Sequence, residues 1–338
     1  MSFLVAKKDP NPDAYKTLDE LMPISIEMIR ANCPFDFDLF VKIADKYLKY
    51  IPKGQGIEEE KLDKIKQIES LKSKDVERLF IPKADAEAFE GYFDDSIEEA
   101  IESEDLEAEE RFSIIEEIAT TAVEVIFSEP ESKQAFVLTE KAAKGLRKII
   151  QDNPKALKKI FSKKGKKTDL IENHCKNVSA LSVRLAFAMG YRGKDLDHLG
   201  AAALVHDIGL SSIRGEELNL LFGREDRRMS PDDKRMYQPH VKDAVRILSN
   251  KSYINPEILK LVECHHEKLQ GEGYPQKLQK MDDLSQILSM INLYDKKVSV
   301  YRIDPVEAYQ QLLQQEMGHY KLNIVKKLKD VLEAEEIF

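Results

Sequence analysis

The sequence predicts an α+β protein built from a small N-terminal α/β domain, a helical connector and a C-terminal all-α bundle. Three observations predict it. Up to about residue 95, β-rich runs alternate with short helical patterns. Over 95–130, a strongly acidic stretch keeps apolar residues at helical spacing. From Asp169 onward the helical pattern is almost unbroken, and all seven histidines of the 338-residue chain lie after residue 173. The expected domain bounds are 1–95, 96–150 and 151–338.

Residues 1–14 read as a loose arm. Phe37–Ile43 and Tyr47–Ile51 are β-rich runs separated by three residues, which predicts a hairpin closed by Pro52 and Gly54. Glu58 to about Ser73 is a charged amphipathic helix, with Leu62, Ile65, Ile68 and Leu71 on one side. Val76–Ile81 is a strand stopped by Pro82, and Asp85–Phe93 is a short helix. No catalytic constellation falls here, so this domain reads as a docking or regulatory module. In the connector, Ile97, Ile101, Leu106, Phe112, Ile115, Ile118, Val123 and Ile126 form an apolar stripe. Such a helix could pair with its copy in a homodimer or simply solvate its acidic face. The charge then reverses between Lys141 and Lys167. That basic face is either solvated or steers a phosphate-bearing ligand.

In the C-terminal half, Leu170–Met189 is the first helix, with Gly190 at its C-cap. Asp195 to about Ile208 is the second. A polar insert over Arg214–Met229 follows. Ser230-Pro231 then starts a third helix through Asn250, since serine caps and proline suits the first turn. Pro256 opens a fourth through His266, Leu284 to about Val298 is a fifth, and Pro305 opens a sixth.

Composition narrows the function classes. The chain is 42% hydrophobic and 33% charged, as expected of a folded domain. It has no apolar run of about 18 residues, so no membrane span is expected. The net charge of −9 argues against a nucleic-acid polymer as ligand. Cys33, Cys175 and Cys264 are sparse and odd in number, which points to a reducing, cytoplasmic setting. Cys175 and Cys264 adjoin histidines but are expected to be packing residues.

The candidate chemistry lies in the histidines. Cys264-His265-His266-Glu267 runs into a glycine-rich turn, Gly271-Glu272-Gly273-Tyr274-Pro275. His206-Asp207 ends the second helix, His174 lies in the first and His240 in the third. Helical bundles build metal sites from inward side chains on facing helices. One aspartate has two oxygens, so Asp207 could bridge two cations. His174, His206, Asp207, His240, His265 and His266 suffice for two metals with positions left for water. His198 and His319 read as ordinary helical histidines. No Ser/His/Asp or Cys/His signature competes.

His206-Asp207-Ile208-Gly209, together with His265-His266-Glu267 and Gly271-Glu272-Gly273-Tyr274-Pro275, resembles the HD-GYP family of metal-dependent phosphohydrolases over about residues 170–310. The resemblance implies an HD-type helical bundle and a cyclic di-GMP phosphodiesterase. It implies two divalent transition-metal ions, iron or manganese, and a metal-bridging hydroxide as nucleophile. His174 and His240 fall on the family's helical histidines, and Asp295 falls on the second aspartate of its late helix. Gly273, Tyr274, Pro275 and Arg302 are the implied substrate contacts. The chain departs from the pattern in several places, among them the proline that precedes rather than follows His240 and the long insert before it. Asn292 stands where the family has a ligating aspartate. Leu210 replaces a lysine, and Leu170 replaces the glutamate that goes with a third metal. These departures leave a second reading open, a weak or inactive cyclic di-GMP receptor that signals through its N-terminal domain to a protein partner.

Overall fold

The computed structural model describes residues 15–16, 20–24, 26, 29–30, 32–43, 46–62, 79–103, 106–153, 155, 157–158, 170–213, 215–224 and 228–338. The N-terminal arm, most of the amphipathic helix expected over 58–73, and the lysines at 159–167 lie outside them. The chain divides into two units, Met1–Ser96 and Ile97–Phe338.

In the first unit, β1 (Tyr15–Lys16), β2 (Leu21–Ile24), β3 (Leu39–Ile43), β4 (Lys46–Ile51) and β5 (Leu79–Pro82) form one sheet in the order β1-β4-β3-β5-β2. Every pairing is antiparallel. The expected hairpin is β3–β4, with Ile43 opposite Lys46. Its alternation places Phe40 and Tyr47 in one buried cluster with Leu21 and Phe80. Phe35 and Phe37 stack with centroids 4.7 Å apart, and Tyr92 and Phe89 meet the Phe37 ring edge-on. The helix carrying those two rings, α1 (Ala86–Glu102), runs further than the sequence pattern indicates.

The second unit is helical among its described residues. It comprises α2 (Ala108–Ser128), α3 (Lys133–Asp152), α4 (Leu170–Ala188), α5 (Lys194–Val205), α6 (Gly215–Phe222), α7 (Pro231–Tyr237), α8 (His240–Leu248), α9 (Pro256–Cys264), α10 (Asp283–Asp295), α11 (Pro305–Gln315) and α12 (Leu322–Ala334). The stretch read as a connector supplies α2 and α3, and both are built into this unit. Phe112, Ile115, Ala119, Ala122 and Ile126 are fully covered. The covering is not only apolar. Lys176 on α4 reaches Glu116 on α2 at 2.7 Å, and both side chains are buried.

Local chemistry sets the helix starts around the site. Ser230 and Asp233 form a reciprocal capping box, with Pro231 in the first turn of α7. Asn255 caps α9, Asp282 caps α10 and Asp304 caps α11. Two readings need correction. The single helix expected over 230–250 is two helices, because Pro239 has no N–H to continue α7. The break makes His240 the first residue of α8. The polar insert also contains α6, whose Phe222 is completely buried. No helix among the described residues is long and apolar enough to cross a membrane.

Candidate metal centre

Asp207 sits at the C-terminal end of α5, where the chain leaves the helix for a 3₁₀ turn over Ile208–Ser212. Its carboxylate is fully buried, and neither oxygen takes a hydrogen bond from a described residue. Five imidazoles surround it. The nitrogens His240 Nε2 and His265 Nε2 lie 3.2 and 3.6 Å from Oδ1. On the other oxygen, His206 Nε2 and His174 Nε2 lie 3.3 and 3.8 Å from Oδ2. The two halves are Asp207 with His240, His265 and His266, and Asp207 with His174 and His206.

The outer nitrogen of four of these rings is tied down. His206 Nδ1–H donates to the Ala203 carbonyl at 2.7 Å, His240 to Tyr237 at 2.6 Å and His265 to Val262 at 2.6 Å. Each bond closes one helical turn backwards, so helix geometry itself orients the ring. His174 Nδ1–H instead donates to Asp295 Oδ2 at 2.6 Å. These bonds select the tautomer whose Nε2 lone pair faces inward. Burial drives the His265 imidazole down to about 3 and that of His266 well below its ordinary value. Both therefore stay neutral near pH 7.

The consequence is a set of electron-rich atoms with no proton between them. His240 Nε2 and His265 Nε2 stand 3.0 Å apart, and His174 Nε2 stands 2.9 Å from Asn292 Oδ1. Asn292 Nδ2 donates to the His265 carbonyl at 3.2 Å, which fixes the amide oxygen towards His174. Lone pairs at such distances repel unless a cation lies between them. Two atoms sharing one cation at about 2.1 Å stand about 3.0–3.4 Å apart. The residues present therefore fit divalent cations, with Asn292 as a neutral oxygen donor on the His174 side. Burial pushes the Cys264 thiol up to about 11 and the Cys175 thiol well above its ordinary value, so neither offers a thiolate.

Asp295 lies one turn beyond Asn292 but contacts the outer nitrogen of His174. It also accepts from Asn177 at 3.0 Å and from Ser299 at 2.7 Å. It is an orienting carboxylate. Asp295→Asn keeps the shape and loses the charge, so metal affinity should fall about 10–100-fold with the fold retained. A chelator titration beside a thermal melt measures both, and unchanged affinity would remove Asp295 from this role.

The glycine-rich turn is held from behind. Glu267 is buried, and its carboxylate accepts the backbone N–H groups of Gln276, Lys277 and Leu278. A Cβ on Gly273 would lie 2.3 Å from Lys268 N and 2.4 Å from Glu267 Cα, so only glycine permits this approach. The turn thereby lays the Tyr274 ring parallel on His266 at 4.5 Å, next to Pro275. Arg302 is exposed, at φ 61°. Its neighbour Tyr301 lines a cavity of about 570 Å³ with Arg224, Arg228 and Glu307. His198 and His319 belong to neither cation group.

Sequence reasoning missed Asn177, Phe222, Tyr237 and Lys296. Phe222 meets the His174 ring at 5.3 Å and Tyr237 meets the His240 ring at 4.6 Å. None of the four belongs to a recognisable motif. Only the burial of α6 and the break at Pro239 bring the two aromatics to the site.

The HD domain family matches residues 144–321, more than half of the chain. No curated protein matches. A solved structure described as Bd1817, a HDG"Y"P protein from Bdellovibrio bacteriovorus, superposes with a TM-score of 0.71 at 25% identity, covering 93% of this chain and 99% of that one. The chain belongs to the HD domain family, and within it to the HD-GYP group of metal-dependent phosphohydrolases.

Proposed function

We propose that the protein hydrolyses cyclic di-GMP at a two-cation centre divided across Asp207. One observation carries the reading. The two oxygens of a single buried carboxylate each face a separate set of inward imidazole nitrogens. His174, His206 and Asn292 would hold one cation, and His240, His265 and His266 would hold the other. Mixed imidazole and oxygen donors favour iron or manganese. When bound, the two cations supply Lewis acidity and a hydroxide nucleophile at neutral pH.

The chain's own residues do the remaining work. The Ala203, Tyr237 and Val262 carbonyls and Asp295 hold the outer protons of the ligating rings. Glu267 and Gly273 set the turn that places Tyr274 as a wall over His266. Arg302 offers its exposed charge to a substrate phosphate. Partner binding falls to the first unit, where no cation-binding group occurs among the described residues. The three free cysteines favour a cytoplasmic setting.

Manganese- or iron-loaded protein incubated with cyclic di-GMP should yield linear dinucleotide or GMP by chromatography. Binding without turnover under every metal would instead make the chain a receptor, a reading favoured by the neutral donor at 292. Asn292→Asp tests that position directly. A charged oxygen should tighten the cation on the His174 side by about tenfold, read as slower loss to chelator. Unchanged retention would exclude residue 292 as a ligand.

A further inference from the structure

Beyond Asp295 the chain does not simply end its helix. Lys296–Val300 forms a π-helical turn, with the Tyr301 N–H donating to the Lys296 carbonyl at 2.9 Å. The wider turn brings Lys296 inward. Its side chain is only 2% exposed. The ammonium donates to the Tyr237 hydroxyl and lies 4.6 Å from that ring's centroid and 4.5 Å from the Phe222 centroid. Among the described residues no carboxylate pairs with it.

Both rings that cage this cation also touch the metal centre. Phe222 meets His174 at 5.3 Å, in one half of the site. Tyr237 meets His240 at 4.6 Å and His266 at 6.1 Å, in the other half. The ammonium is thus flanked by both halves. Burying a charge without a counter-charge is costly, and aromatic faces offset only part of that cost. A centre with one carboxylate, one amide and neutral imidazoles is already positive when it holds cations. A second buried positive charge beside it is repelled until an anion enters. Leu210 means that the turn after Asp207 supplies no ammonium.

We propose that Lys296 is a positioning residue of an anion subsite. Its ammonium, held on Tyr237 between the two rings, supplies the fixed positive charge that draws a substrate phosphate across both halves of the centre. This rests on the two-cation reading above and adds the group that sets affinity for the anion.

The test uses manganese-loaded full-length protein and inorganic phosphate as the probe, with metal content measured on the same samples. Lys296→Met should keep its metal, bind phosphate at least tenfold more weakly, and raise KM for nucleotide more than it lowers kcat. Lys296→Arg should stay within about threefold of the parent, because a planar cation still fits between the rings. Phosphate affinity unchanged in Lys296→Met overturns the proposal. So does loss of metal from that variant, which would make Lys296 a structural prop. Should Lys296→Met fail to fold, Tyr237→Phe removes the hydroxyl anchor and leaves the ring. Weakened phosphate binding there supports the subsite, and unchanged binding overturns it. Phosphate binding that depends on Lys296 without cleavage of cyclic di-GMP would refute the substrate and leave the subsite standing. Normal cleavage with phosphate binding indifferent to Lys296 would do the reverse.

Discussion

Asp207→Asn empties both halves of the centre. The substitution keeps the shape of the side chain and removes the one charge that the two ligand sets share. It also replaces an oxygen with an N–H₂ group aimed at imidazole lone pairs. Depending on which oxygen it replaces, it reaches His240 Nε2, 3.2 Å from Oδ1, or His206 Nε2, 3.3 Å from Oδ2, so the amide would occupy a place a cation needs. The loss in metal affinity should exceed the roughly 10–100-fold that follows from removing an outer partner. Elemental analysis should give well under one metal per chain, and turnover of cyclic di-GMP should vanish with it. The fold should survive. The new donors satisfy atoms that otherwise lack a partner, so the variant should melt no lower than metal-free parent protein, while the rise in melting temperature on adding manganese disappears. Near-normal metal content in Asp207→Asn would mean that this carboxylate does not join the two halves.

Much of this site is legible because its markers are local. Ser230-Pro231, Asn255-Pro256 and Asp304-Pro305 announce helix starts by capping chemistry that depends only on neighbours. His206-Asp207 and His265-His266 end helices, and the carbonyl three residues back orients a histidine there without help from distant parts of the chain. What the pattern conceals is tertiary. Asn292 and Asp295 lie three residues apart on one helical face, and both align with family aspartates. Only the packing of α4 against α10 shows that Asn292 meets the inner nitrogen of His174 and Asp295 the outer one. A charged insert gives no sign that it hides a buried phenylalanine. The apolar stripe on α2 was compatible with a dimer, a solvated face or burial, and the fold buries it. Lys296 is buried by a π turn, a change of one residue in register that periodicity cannot register.

Gly209 carries the second large effect, and it works through backbone rather than charge. Its α-hydrogen faces the first turn of α8. A Cβ there would lie 1.9 Å from the His240 carbonyl oxygen, 2.7 Å from its carbon and 2.8 Å from the Ala244 nitrogen. No side chain can rotate aside, because all three atoms are main chain. Gly209→Ala must therefore move α8 away from the 3₁₀ turn that follows Asp207. His240 is the residue in contact, so the displacement passes directly to its imidazole, now 3.0 Å from His265 Nε2 and 3.2 Å from Asp207 Oδ1. Overpacking of this kind costs about 1–3 kcal/mol or more. For a unit of this size, that lowers the melting temperature by at least about 2–10 °C. The metal effect should be one-sided. The half built on His240, His265 and His266 should lose its cation, while His174, His206 and Asn292 keep theirs, because none of them rests on α8. Metal content should then fall by half on one substitution, with the remaining ion resisting chelator as in the parent. A variant that melts within about 1 °C of the parent and keeps its full metal content would show that α8 yields without moving His240, and the tight seat of Gly209 would then have no part in assembling the centre.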